Sequence, residues 1–297
     1  MNKKNIKKAL NAKFKAWIDS IEDKTVKKAI KENTIITGGS IVSFILNEEV
    51  KDYDVYFRDR ETVLLVANYY CAQFNGTQQK DIAEVKIDEE SGRIKIVIQS
   101  AGVAAEDPEV LESPFADVYE VLSNADDIKG EDQDKNEKKR FRPIFLSSNA
   151  ITLSDKVQLV IRFWGEPEDI HKNYDFVHCT NYWSSWDNEI VLRPEALEAI
   201  LAKELRYVGS KYPLCSIIRT RKFIGRGWTI NAGQYLKMCF QVSKLDLTDI
   251  NVLEDQLVGV DSAYFMQLID GLRAKTKEDP DFVVSDGYLA SIVDKLF

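Results

Sequence analysis

Two histidines, four cysteines and seven prolines in 297 residues leave little material for several common chemistries. The cysteines (Cys71, Cys179, Cys215, Cys239) are scattered with no Cys-x-x-Cys spacing. That excludes a zinc ribbon or disulfide framework and predicts reduced, mostly buried thiols of a cytosolic protein. No stretch approaches the eighteen apolar residues of a membrane helix, and no membrane partner is expected. Met1-Asn-Lys-Lys-Asn-Ile-Lys-Lys8 is charged but lacks the apolar run of a signal peptide, so a cytoplasmic protein is expected. Internal repeats are also absent. His171 and His178 read as structural residues, because a lone histidine in a helix end or strand is more often a satisfied core residue than a ligand.

What remains is an ordinary globular composition with an uneven charge distribution. The formal charge is −8, yet Glu106–Glu137 alone holds twelve acids and two lysines. The rest of the chain is therefore slightly basic, and residues 1–33 carry ten lysines against four acids. Overall acidity does not exclude a polyanionic partner.

One constellation carries chemistry. Gly38-Gly39-Ser40 follows Ile35-Ile36 and precedes a short helix predicted over Ile41–Leu46. After eleven intervening residues comes Asp52-Tyr53-Asp54, heading the apolar run Val55-Tyr56-Phe57. Strand alternation puts Asp52 and Asp54 on one face. Two such carboxylates suit a hard cation such as Mg2+, with substrate phosphates completing its shell. Glycines ahead of a helix let backbone N–H groups approach an anion at the positive helix end. A phosphate cradle beside a metal site is the equipment of nucleotidyl transfer.

These residues resemble the signature of the DNA polymerase β-like nucleotidyltransferase superfamily: Gly-Gly/Ser, a short helix, then Asp-x-Asp on a strand. The variant they look most like is the head domain of poly(A) polymerases and CCA-adding enzymes. The resemblance implies an α/β (α+β) fold with a mixed sheet flanked by helices, followed by a helical neck. It implies an NTP substrate and Mg2+, with Mn2+ as the alternative ion. Gly38, Gly39 and Ser40 would hold phosphates, and Asp52 and Asp54 the metal. Two-metal phosphoryl transfer works best with a third carboxylate. Asp175 is the candidate, because Tyr174-Asp-Phe follows an apolar-Gln-apolar strand at Val157-Gln-Leu-Val. Further on, Tyr212-Pro-Leu opens a helix resembling the first neck helix of CCA-adding enzymes. There Arg219, Lys222 and Arg226 would share a face able to meet nucleotide phosphates or an RNA backbone. The chain departs from that family at Lys211-Tyr212 and Cys215-Ser216, where the residues that read the incoming base would fall. No choice of base is implied.

The remaining pattern predicts a helix over residues 1–32, a helix at Thr62–Gln73 and a hairpin of Asp81–Asp88 with Arg93–Gln99. An acidic insertion spans about 101–137, with a helix at Ala116–Ser123. Strands are expected at Ile144–Leu146, Ala150–Leu153, Asn173–Asn181 and Ile190–Leu192. Val157–Phe163 fits strand or helix. Helices are expected at Glu166–His171, Pro194–Leu201, Pro213–Ile224, Ala232–Val242 and Ala263–Lys275. The implied organisation is a helical segment 1–33, a catalytic domain 34–210 and a helical domain 211–297. Three functions fit: NMP transfer to an RNA 3′ end, NMP transfer to a protein or small molecule, or a non-catalytic scaffold of the same fold.

Overall fold

A computed structural model describes residues 1–77, 82–88, 92–98, 140–256, 272–277, 285, 287–288 and 290–291. The acidic stretch with its helix at 116–123, the hairpin's Glu90-Ser91 and most of 263–275 lie outside these residues. The chain forms two compact units: residues 1–171 with 178–200, and residues 172–177 with 201–297.

The first unit begins with two helices rather than the one expected. α1 (Lys3–Asp19) buries Ile6, Leu10, Phe14, Trp17 and Ile18, one side of a 3.6-residue period. α2 (Lys24–Asn33) starts afresh because Asp23 caps it, its carboxylate accepting from Thr25 N and Val26 N at 2.7 and 2.9 Å. Trp17 Nε1 donates to Tyr70 Oη at 2.7 Å inside the core.

Then follow β1 (Thr34–Thr37), α3 (Gly39–Leu46), β2 (Tyr53–Phe57), α4 (Arg60–Asn75), and the hairpin β3 (Ala83–Ile87) with β4 (Ile94–Ile98). Next come β5 (Pro143–Leu146), β6 (Ala150–Leu153), β7 (Val157–Trp164) and the short α5 (Pro167–His171). β8 (Tyr182–Ser184), β9 (Ile190–Val191) and α6 (Pro194–Ala202) complete the order. Seven strands form one sheet, ordered β5-β6-β7-β2-β1-β8-β9. Every neighbouring pair is antiparallel except β2 with β7, so the sheet is mixed and the fold class is the α/β one expected.

Register separates the two faces. Ile151, Leu159, Val55, Ile36, Trp183 and Ile190 are successive cross-strand partners and lie in the main apolar core. The parallel row Thr152, Gln158, Asp54, Thr37, Tyr182 occupies the opposite face.

Asn173–Asn181 is not the strand its alternation suggests. Val208 N donates to Asp175 O and Val177 N to Arg206 O, and only the bridge Phe176–Tyr207 forms. A 3-10 turn at Val177–Cys179 then ends the pairing. The alternation comes from a segment whose residues 172–177 belong to one unit and 178 onward to the other.

In the second unit, α7 (Pro213–Ile224) has Pro at its first turn, and α8 (Ala232–Val242) is capped by Asn231. α9 (Ile250–Gln256) has no counterpart in the sequence reading. Arg226 falls beyond α7, which ends at Ile224 with Gly225 as its cap, so the expected three-residue basic face is not helical throughout. Of the four free cysteines only Cys71 and Cys215 are buried, fewer than expected.

Candidate functional site

The site is built where β1 turns into α3. Gly38 has φ 83° and ψ −145°, a conformation essentially reserved for glycine, and its N–H donates to Cys179 O at 3.2 Å. A Cβ at Gly39 would meet nothing within 4 Å, so open space faces the helix start. Ser40 is buried, and its Oγ has no hydrogen-bond partner among the described residues. A hydroxyl in that condition at a helix N-terminus is equipped to donate to an anion.

Antiparallel pairing of β1 with β2 sets Thr37 directly beside Asp54. The carboxylate of Asp54 therefore stands one strand away from the residue that enters the glycine turn. Asp52 immediately precedes β2 and is exposed, whereas Asp54 is half-buried. On Asp54's other side the parallel partner is Gln158. β7 carries no acid, so the neighbour supplies an amide rather than a third carboxylate.

The structure adds a polar support that no local sequence pattern encodes. Thr37 Oγ1 donates to Asn181 O at 2.8 Å and lies 2.9 Å from His171 Nε2. With the hydroxyl proton committed to the carbonyl, the assigned tautomer has His171 Nε2–H donating to Thr37. Burial, assisted by Arg193, pushes the His171 pKa down to about 3. His178 is buried too, and burial lowers it to about 3. Both histidines are neutral fixtures of the interior, as expected. Contacts spanning 134 residues leave no local signature.

Asp175 lies in the second unit. It is buried, its Oδ2 is ion-paired with Arg219 of α7, and its Oδ1 has no hydrogen-bond partner among the described residues. Lys222 is exposed on the same helix. Among the described residues, no group of three or more His, Cys, Asp or Glu side chains could hold a metal ion. The pair Asp52 and Asp54 still fits one Mg2+, which is commonly held by one or two carboxylates with water and phosphate oxygens for the rest.

Turn, short helix and acidic strand on a mixed sheet form the arrangement that the signature implied. The chain belongs to the Gabija anti-defense 2 family, which it matches over residues 8–203. It is similar to Gabija anti-defense 2 of Bacillus phage SPbetaL7, 20% identical over 151 residues. That match spans 48% of this chain and 38% of the relative, about two-fifths of its length.

Solved structures similar to it include a tRNA-processing enzyme in apo form I, with 14% identity and a TM-score of 0.40. The similarity covers 92% of this chain and 60% of that one. A tRNA nucleotidyltransferase complexed with a primer tRNA and an incoming ATP analogue shows 13% identity, a TM-score of 0.38, and coverage of 89% and 64%. The Thermotoga maritima CCA-adding enzyme complexed with tRNA shows 9%, 0.39, and coverage of 92% and 57%. The chain covers less than two thirds of each of these proteins. No described helix is long and apolar enough to cross a membrane.

Proposed function

We propose that this chain transfers a nucleotidyl group from a nucleoside triphosphate to a protein of the Gabija defence system. The observation that carries the enzymatic part is the register Thr37–Asp54, which sets a carboxylate beside the Gly38-Gly39-Ser40 turn. Family membership supports the choice of target. In this reading the N–H groups of the turn and Ser40 Oγ hold the β- and γ-phosphates, and Asp52 and Asp54 hold Mg2+. The ion, when bound, draws charge from the phosphate oxygens and orients them.

The acceptor hydroxyl oxygen attacks the α-phosphorus, the bond from that phosphorus to the bridging oxygen breaks, and pyrophosphate leaves. The hydroxyl proton passes to a nearby carboxylate or to water. Catalysis of this kind is largely positioning and electrostatics, which suits a chain with two histidines, both buried. Asp175 is retained as the proposed third carboxylate, and Arg219 and Lys222 as proposed phosphate contacts.

An RNA acceptor is the second reading, supported by the lysines of α1 and the cations around α7. The deciding experiment incubates the protein and its Asp54→Ala variant with each α-labelled NTP, Mg2+, and either purified Gabija proteins or total RNA. Label on a Gabija protein, with pyrophosphate released and Asp54→Ala inactive, is the expected result. Label on RNA alone would transfer the proposal to the RNA acceptor. No label on either, with the defence proteins still bound, would leave a non-catalytic scaffold.

A further inference from the structure

Asn181 stands where the pairing of β1 with β8 gives out. Ile35–Ser184, Ile36–Trp183 and Thr37–Tyr182 step in order, and the next step sets Asn181 across from Gly38. Gly38 has already turned there. Its N–H donates to Cys179 O at 3.2 Å, while Thr37 Oγ1 donates to Asn181 O at 2.8 Å. Residues 179–181 are therefore tied to the strand end that becomes the glycine turn.

The side chain of Asn181 is fully buried, and only its oxygen is used. Oδ1 accepts from Arg193 N at 2.8 Å. A backbone N–H can only donate, so the amide cannot be flipped and Nδ2 is the other end. Arg193 follows β9, which neighbours β8 on the side away from β1. With its oxygen held to that side, the amide has its N–H groups left for the β1 side, where Gly38 and Ser40 stand. Nδ2 is buried and has no hydrogen-bond partner among the described residues.

Ser40 Oγ, in the first turn of the eight-residue α3, is in the same condition. Buried donors left unmade are costly, and native proteins hold few of them. Two such donors at one turn, ahead of a helix whose dipole favours anions, complement a group that only accepts. We infer that Asn181 is a phosphate-binding residue, its Nδ2 donating to an oxygen of the triphosphate held by the Gly38-Gly39-Ser40 turn. The identity of the anion rests on the nucleotidyl-transfer reading; the donor itself is new to it. An asparagine free to flip could offer its oxygen to a metal ion. Pinned by Arg193 N, Asn181 offers hydrogen-bond donors alone, which makes it a contact for phosphate and not for Mg2+.

The test uses the full chain and inorganic tripolyphosphate without divalent ion, a probe that needs neither base, acceptor nor Mg2+. Isothermal titration calorimetry should show it bound by the wild type. Asn181→Asp keeps an oxygen for Arg193 N and puts a second oxygen where the N–H groups were. It should weaken binding about tenfold or more, with the circular dichroism unchanged. Ser40→Ala should weaken binding as well. Should Asn181→Asp unfold, a measurement on the wild type decides. The Asn181 side-chain amide protons, followed by nitrogen-15 NMR, should shift downfield and exchange more slowly at saturating tripolyphosphate. Wild-type affinity in Asn181→Asp beside a weakened Ser40→Ala, or an amide resonance that does not move, would overturn the role of Asn181 and leave the nucleotidyl-transfer reading standing. A wild-type chain that binds no tripolyphosphate would overturn both.

Discussion

Lowering the pH from 7.5 to 5 should strip stability from the first unit before most carboxylates begin to titrate. His171 and His178 have their pKa values pushed down to about 3 by burial. In the unfolded chain each takes up a proton near 6.5. Between those values the unfolded state holds more protons, so acidification favours unfolding. The contribution is complete above about pH 6.5 and declines as the pH falls toward 3. At pH 5 each histidine costs about 2 kcal/mol and the pair about 4 kcal/mol. Any folded pKa below about 4 gives nearly that figure. Urea unfolding followed by the fluorescence of buried Trp17 and Trp183 reads the difference directly. His178→Gln should remove about half of the pH dependence. An unfolding free energy unchanged within about 1 kcal/mol between the two pH values would refute the burial argument.

Other perturbations probe the site and its frame. Asp54→Ala should abolish nucleotidyl labelling while leaving the melting temperature near wild type, since a half-buried carboxylate at a proposed metal site contributes little structure without its ion. Labelling at wild-type rate would remove Asp54 from the proposed metal site. Gly38→Ala forces an L-residue into φ 83°, ψ −145° and should cost about 1–3 kcal/mol, read as a lowered denaturation midpoint. Tyr70→Phe leaves the buried Trp17 indole N–H without its acceptor, at about 1–3 kcal/mol by the same measurement. Asp175→Asn breaks the pair with Arg219. Because that guanidinium is one-third exposed, the expected loss is about 1–2 kcal/mol, and an unchanged melting curve would show the pair to be energetically silent.

What could be read in the sequence was what depends on near neighbours. Gly38-Gly39-Ser40, the short α3 and the strand of Asp54 were legible because turn chemistry and alternation act within a few residues. So was the β3–β4 hairpin, whose register runs from Ala83–Ile98 to Ile87–Ile94. Asp23 was a readable cap that should have split the first helix. Val157–Trp164 stayed ambiguous because its pattern fits either element until pairing with β2 makes it a strand. The 173–181 segment misled through an alternation produced by two separate packing environments. Thr37 with His171, and Gln158 beside Asp54, are products of long-range register that no local pattern encodes. The helix at Ala232–Val242 was legible, but which side faces inward is decided by Gln234 and Gln241 finding Tyr207 and Ser210.

The single parallel pair in the sheet also sets a timetable for synthesis. β2 can find β1 as soon as both are made, yet its other neighbour begins only at Val157. At about 5–20 residues per second, the intervening stretch of roughly 100 residues takes on the order of 5–20 s to emerge. Throughout that interval the strand of Asp54 has an open edge, and closing the long crossover is the slow, non-local step of assembly. β8, which pairs with β1 on its far side, is made later still. The sheet on both sides of Asp54 would thus be complete only near the end of the first unit's synthesis. A ribosome stalled anywhere in the acidic stretch would hold both aspartates and the glycine turn without the sheet that aligns them.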